Sequence, residues 1–197
     1  MKIAIDLNDV IRSYSKTFGK YYKKAKDNTI NLEEINLNTN DLSEVFSFNT
    51  IDDYYRFLYE DYPFEIFGAA PPIDKNLPSN FNNWLNNVIS NLDINEPIDF
   101  IIVSAMEYGL TIQSTYFFLS KIGCRVREVY MPKDSHTIWD KCDILITANP
   151  KLLNCKPENK ISIKINMPYN SDCKSDYAFN DLEEFISDKN NIINLIK

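Results

Sequence analysis

The chain is poor in histidine and cysteine, the residues on which many metal sites and catalytic triads depend. His136 is the single histidine among 197 residues, which excludes a triad or a metal site that requires two histidines. No two cysteines form a Cys-x-x-Cys pair, which excludes a zinc or redox motif of that kind. The cysteines are Cys124, Cys142, Cys155 and Cys173. We therefore expect reduced thiols that mostly pack within the protein.

Long apolar runs and an excess of positive charge are absent as well. No apolar stretch approaches the roughly 18 residues of a membrane span, and Met1 leads directly into an apolar strand rather than into a basic leader. The net charge is -7, which argues against a general binder of nucleic acids or anionic membranes. We therefore expect a cytoplasmic protein without a nucleic-acid or membrane partner.

The opening residues carry the first candidate for a functional site. The apolar run Ile3–Ile5 is typical of a strand that is buried on both faces of a parallel sheet. Asp6 follows it directly, at the carboxyl end of the strand, where ligands of open α/β sheets collect. Asp6 is therefore the residue most expected to carry chemistry.

The pattern that begins at Asp6 is Asp-x-Asn-Asp-Val-Ile. It resembles the first motif of the haloacid dehalogenase (HAD) superfamily, an apolar strand followed by Asp-x-Asp-x-Thr/Val. The resemblance implies that Asp6 is a covalent nucleophile. The second acid of that motif, which exchanges a proton in the family's phosphatases, is replaced here by Asn8. Losing a general acid/base typically costs about 10²- to 10⁴-fold in rate.

The next unmistakable core strand, Asp99–Ser104, comes roughly ninety residues after the first. Crossovers between parallel strands are normally one helix long, so the excess predicts an insertion. We expect an α/β fold with a three-layer, Rossmann-like HAD core and a parallel sheet, formed by residues 1–14 and 97–197. Residues 15–96 are expected to form an inserted helical cap, with the aromatic residues of 51–68 on its packing face.

Apolar periodicity predicts the remaining elements. The predicted strands lie at 125–130, 143–148 and 161–166, and the predicted helices at 11–25, 52–62, 81–92, 110–122, 181–186 and 190–196. Residues 161–166 alternate between isoleucine and polar residues, which is typical of an edge strand.

Polar residues follow the predicted strands in the order of the four HAD motifs: Asp6, Ser104, a lysine, and a polar turn after 143–148. The resemblance covers about residues 1–14 and 97–170. It is closest to the helical-cap branch that includes the 5'-nucleotidase-like phosphatases, and Met167–Asn170 is similar to a segment of those enzymes.

This resemblance implies a small phosphorylated molecule as the substrate. Ser104 and the adjacent Ala105 would bind the phosphoryl group, and a lysine would neutralise its charge. Lys133 is the better match for this cation because it directly follows the third strand, and Lys141 is the alternative.

The resemblance also implies Mg²⁺, with Asp6 and Asn8 as its first-motif ligands. The fourth motif normally adds one or two acids, but Thr147, Ala148 and Asn149 stand in that position. Mg²⁺ prefers carboxylates among oxygen ligands, so a metal site would need replacement ligands. Nearby acids that could supply one are Asp9, Asp134 and Asp143.

Three functional hypotheses follow. The first is a hydrolase that acts on a small phosphomonoester through Asp6, slowly or with altered metal ligation. The second is a catalytically inactive HAD-like protein that serves as a ligand-binding or interaction module. The third is a metal-independent hydrolase of dehalogenase type, which requires an arginine to recognise a substrate carboxylate. The available arginines are Arg12, Arg56, Arg125 and Arg127, and the sequence assigns none of them to the site.

Overall fold

The computed structural model of the protein describes residues 1–91, 97–188 and 190–192. Within these residues, six strands form one sheet in the order β3-β2-β1-β4-β5-β6, and every neighbouring pair is parallel. The strands are β1 (Lys2–Asp6), β2 (Asp99–Val103), β3 (Glu128–Tyr130), β4 (Ile144–Thr147), β5 (Ile161–Ile165) and β6 (Tyr177–Phe179). The strand order reverses beside β1, which is the topological switch point of a doubly wound α/β sheet.

Helices cover both faces of this sheet. In the described part of the chain they are α1 (Tyr14–Ala25), α2 (Leu42–Val45), α3 (Ile51–Arg56), α4 (Leu77–Asn91), α5 (Leu110–Lys121), α6 (Pro150–Asn154) and α7 (Leu182–Ser187). Two π-helical turns, Phe57–Asp61 and Phe64–Gly68, follow α3, and 3-10 segments occupy Ser135–Lys141 and Pro168–Asn170. No helix of the described residues combines the length and apolarity that crossing a bilayer requires.

The alternation of side chains along β1 explains why the sheet has a packed layer on each face. Ile3 and Ile5 pack into one apolar cluster with α4, α5 and α7, whereas Ala4 points to the opposite face and packs with the 3-10 segment Ser135–Lys141 and α6. Successive side chains of a strand alternate between faces, so an unbroken apolar run requires cover on both sides. The expected three-layer α/β architecture with a parallel sheet is confirmed.

The segment between β1 and β2 contributes to two different cores. Helices α1 to α3 and the π-helical turns form a separate aromatic cluster around Phe18. Helix α4, which the predicted cap also includes, packs instead against the sheet, where the ring of Trp84 lies 5.2 Å from that of Phe100. The division of the chain at residues 15–96 stays a prediction.

Two expectations about the end of the chain need comment. The strand Ile161–Ile165 is not an edge strand, because Tyr177–Phe179 pairs along its outer side. Its polar residues are buried for this reason, and the ammonium group of Lys164 donates to the carbonyl oxygen of Cys173 at 3.0 Å. The predicted helix at 190–196 lies mainly outside the described residues.

The aromatic cluster generates a test of the helical segment. Phe18 is fully buried, and its ring lies 5.2 Å from the rings of both Phe46 and Phe57. We expect Phe18→Ala to lower the free energy of unfolding by about 3–5 kcal/mol, because a large cavity replaces the ring. Urea denaturation followed by circular dichroism measures this change. Phe117→Ala, at a half-exposed position, serves as the control and should cost about 1 kcal/mol or less; equal losses would contradict a packed cluster.

Candidate functional site

A narrow cavity lies at the carboxyl ends of β1 and β4, beside the switch point of the sheet. It is lined by Asp6, Asn8, Asp9, Tyr14, Ser15, Asn40, Ala105, Met106, Asn149 and Tyr169. These residues come from the end of β1, from the loops after β1, β2, β4 and β5, from the start of α1 and, for Asn40, from the segment before α2. The cavity leaves room for about one or two water molecules.

Among the described residues, Asp6 is one of two acidic residues that line this cavity, the other being Asp9. Its side chain is 4% exposed, and one carboxylate oxygen accepts a hydrogen bond of 2.7 Å from the Thr147 hydroxyl. Burial raises the pKa of Asp6 to about 7, the Thr147 hydrogen bond opposes this rise, and the Glu107 carboxylate adds to it. Asp6 therefore carries a proton for part of the time near neutral pH.

Asn8 has a fixed orientation. Its amide oxygen accepts two hydrogen bonds from Arg12, from Nη2 at 2.6 Å and from Nε at 3.0 Å. Its amide nitrogen faces the Ser104 hydroxyl at 3.3 Å. Because the guanidinium group presents two parallel donors to one oxygen, the amide plane cannot turn without losing charge-assisted hydrogen bonds.

Arg12 is the centre of a buried network that the sequence did not reveal. Its side chain is fully buried, and Nη2 lies 2.6 Å from a carboxylate oxygen of Glu107, which is also fully buried. Nη1 donates to the carbonyl oxygen of Phe67 at 2.9 Å and to the Thr115 hydroxyl at 2.8 Å. The guanidinium group also lies 5.0 Å from the centre of the Phe67 ring and 5.5 Å from that of Phe118. Each polar contact offsets part of the desolvation cost of the pair.

Asp9 adopts a left-handed backbone conformation, with φ of 56°. Its carboxylate accepts hydrogen bonds from the backbone N–H of Ser15 at 2.9 Å, from the Ser15 hydroxyl, and from the Tyr169 hydroxyl at 3.0 Å. Burial raises the pKa of Asp9, and the Ser15 hydrogen bonds oppose the rise. Asp9 therefore holds the start of α1 and the segment after β5 together.

The remaining predicted site residues separate into two groups. Ser104 is buried beside Asn8, and Ala105 lines the cavity. Lys133 is exposed and does not line the cavity, and the ammonium group of the alternative Lys141 lies 5.5 Å from the centre of the Tyr130 ring. The described lining contains no lysine or arginine. The predicted cation is therefore not brought to Asp6.

The residues of the cavity do not fit Mg²⁺. The part of the chain that the structure describes holds no group of three or more His, Cys, Asp or Glu residues that could bind a metal ion. The amide oxygen of Asn8 accepts hydrogen bonds from the guanidinium group of Arg12. The amide oxygen of Asn149 accepts from the backbone N–H of Lys151 and from the side-chain amide of Asn40. Mg²⁺ requires octahedral oxygen ligation and usually keeps several waters, for which this narrow cavity has no room.

Asp143, a possible replacement ligand, lies at the opposite edge of the sheet. It precedes β4, and its carboxylate accepts from the backbone N–H of Lys2 at 2.8 Å and from the Lys160 ammonium group at 3.2 Å. Asp134 caps the 3-10 segment Ser135–Lys141 and does not line the cavity.

The buried ion pair predicts a specific pattern of stability. Arg12→Met leaves the Glu107 carboxylate buried without its partner, so we expect a loss of about 3–5 kcal/mol in the free energy of unfolding. The double substitution Arg12→Met with Glu107→Leu should recover most of this loss. Urea denaturation of the single and double variants measures both. Arg56→Met, which removes an exposed arginine 3.4 Å from Asp53, should cost at most about 1 kcal/mol.

The raised pKa of Asp6 predicts a dependence of stability on pH. The folded protein retains the Asp6 proton up to about pH 7, whereas the unfolded chain releases it near pH 3.8. The contribution of Asp6 to wild-type stability therefore falls as pH rises between these values, and Asp6→Asn lacks this loss. The stability of Asp6→Asn relative to wild type should rise by up to roughly 4 kcal/mol from pH 4 to pH 8. The pKa of Asp143 is lowered, mainly by the hydrogen bond from Lys2, so Asp143→Asn should give a dependence of opposite sign.

No protein-family model and no curated protein matches the chain. One solved structure similar to it is that of YfnB from Bacillus subtilis, a protein assigned to the HAD hydrolases and crystallised with bound magnesium. The match has 13% sequence identity and a TM-score of 0.48 and covers 93% of this chain and 95% of that one. This likeness is too low to bear on function, and the α/β fold rests on the strand order and register.

Proposed function

We propose that this chain is a catalytically inactive HAD-like protein that serves as an interaction module. The observation that carries the proposal is the fixed amide of Asn8, held by the buried Arg12–Glu107 pair. In the family's phosphatases the residue at this position exchanges a proton with the substrate. Here it is an amide whose oxygen accepts from a guanidinium group, and an amide does not act as an acid or a base near neutral pH.

The charges around the cavity support the same proposal. Asp6 and Asp9 both line it, and no lysine or arginine among the described residues faces them there. Two like charges about 4 Å apart repel by roughly 4 kcal/mol at an effective dielectric constant near 20. A phosphomonoester dianion would meet this repulsion at each ionised carboxylate without a cation to offset it, and the cavity is too narrow to admit it.

No arginine among the described residues is available at Asp6 for a reaction of dehalogenase type. Arg12 is fully buried and paired with Glu107. Arg125 and Arg127 precede β3, at the opposite edge of the sheet from Asp6, and Arg56 lies on the surface near Asp53. A substrate carboxylate at Asp6 would therefore find no guanidinium group.

A second candidate function is slow hydrolysis of a small phosphomonoester through Asp6. The convergence of Asp6 with Asn8, Ser104 and Ala105 at one strand edge favours it. With a pKa of about 7, a fraction of Asp6 is ionised above neutral pH and could attack phosphorus if the cavity opened.

Phosphatase assays distinguish the two candidates. We expect the wild-type protein to hydrolyse p-nitrophenyl phosphate no faster than Asp6→Asn, whether Mg²⁺, Mn²⁺ or EDTA is present. The physical reason is the missing proton donor together with the missing cation. Hydrolysis by the wild type that disappears in Asp6→Asn would overturn the proposal and support the hydrolase. Asp143→Asn, at the far edge of the sheet, controls for general effects of substitution.

A further inference from the structure

A surface groove lies between α3, the π-helical turn Phe57–Asp61 and the start of α5. Three tyrosines and three acids line it, together with Arg56: Tyr55, Tyr59, Tyr108, Asp52, Asp53 and Glu60. The side chains of Tyr55 and Tyr108 are 48% and 66% exposed. Both aromatic rings are therefore in contact with solvent, although their large apolar surface would favour burial.

The tyrosines form a continuous row. The ring centre of Tyr59 lies 6.1 Å from that of Tyr55 and 6.0 Å from that of Tyr108, and the Tyr59–Tyr108 pair has an edge-to-face geometry. The Tyr59 hydroxyl donates to the carbonyl oxygen of Met106 at 3.1 Å. The central ring of the row is therefore held by its contacts with the two neighbouring rings and by the hydrogen bond of its hydroxyl.

The most exposed ring is held on a fixed backbone. Thr111 accepts a hydrogen bond from the backbone N–H of Tyr108 at 2.7 Å and donates one to its carbonyl oxygen at 3.0 Å. Gly109 follows with φ of 57°, a conformation that residues with a Cβ atom adopt at a cost. The backbone of Tyr108 is thus ordered while its side chain faces solvent, which lowers the entropic cost of binding through that ring.

The charge of the groove selects one kind of partner. Its acids outnumber its single cation, Arg56, which lies 3.4 Å from Asp53 and leaves Asp52 and Glu60 without an ion pair among the described residues. Faces of tyrosine rings attract cations, guanidinium groups more often than ammonium groups. Carboxylates at the rim add a long-range attraction to positive charge.

We infer that this groove binds an arginine-rich segment of a partner protein. The inference rests on the proposed interaction function and names the chemistry of its partner. Guanidinium groups of the segment stack on Tyr55 and Tyr108, and Asp52 and Glu60 pair with them. The carboxylates at the rim of the groove repel an acidic segment. A purely apolar segment would remove water from Asp52 and Glu60 without supplying hydrogen bonds or charges in its place.

Fluorescence anisotropy with a short, fluorescein-labelled arginine–glycine repeat peptide tests the inference on the full chain. We expect the peptide to bind more tightly than its lysine–glycine analogue, and a glutamate–glycine analogue not to bind. Tyr108→Ser and Tyr55→Ser should each weaken binding by about two- to fivefold, the effect of one exposed cation–π contact.

A matched pair of charge variants separates the groove from general electrostatic attraction by a chain of net charge -7. The variant Asp52→Asn with Glu60→Gln should weaken binding several-fold, whereas Glu33→Gln with Glu34→Gln, the same change of charge at exposed positions outside the groove, should weaken it less than twofold. Equal weakening by the two pairs, or no binding of the arginine peptide to the wild type, would overturn the inference.

Other occupants of the groove give distinct results. Self-association of the wild type in sedimentation that Tyr108→Ser abolishes would identify a second copy of the chain as the occupant and overturn the inference. Absence of peptide binding together with absence of phosphatase activity would reject the groove but leave the inactive assignment standing. Peptide binding together with Asp6-dependent hydrolysis would support the groove and reject that assignment.

Discussion

The pairing of Arg12 with Glu107 is the interaction on which the arrangement of the site depends. Arg12 lies in the loop after β1 and Glu107 in the loop after β2, so the pair joins the ends of two adjacent strands. The same guanidinium group donates to the carbonyl oxygen of Phe67 in the π-helical turn Phe64–Gly68 and to the hydroxyl of Thr115 on α5. A fully buried charge cannot remain without partners. This π-helical turn is therefore joined to the ends of β1 and β2 by the same group that orients Asn8.

This network changes the chemical character of the crevice. A crevice at the switch point of an α/β sheet ordinarily receives a ligand, and Asp6 lies at its base. Arg12 is the arginine nearest in sequence to Asp6, but its donors are occupied by Asn8, Glu107, Thr115 and Phe67. The cavity itself is left with carboxylates, amides and hydroxyl groups. Such a lining offers no cation to an anionic ligand among the described residues.

Most of the sheet and part of the site followed from local sequence. Apolar runs predicted five of the strands within the described residues, and the sixth, Tyr177–Phe179, was missed because three largely exposed residues carry no periodic signal. Asp6 was predicted from its position at the end of a strand, and the resemblance to the HAD motifs implied Ser104 and Ala105; parallel strands bring such positions to one edge of the sheet. Lys133 was also chosen for its order along the chain. It lies in a loop whose direction the sequence does not specify, and it points to solvent.

The sequence by itself determined that the central strands are buried on both faces and that polar residues stand at their carboxyl ends, because successive side chains of an apolar run face opposite layers. Only the tertiary structure decided which polar groups meet. Asn8 and Arg12 are four residues apart, but Glu107 lies 95 residues further along the chain. Charge pairing acts through space at a few ångströms, and nothing in the local pattern around Arg12 distinguishes a buried partner from an exposed one.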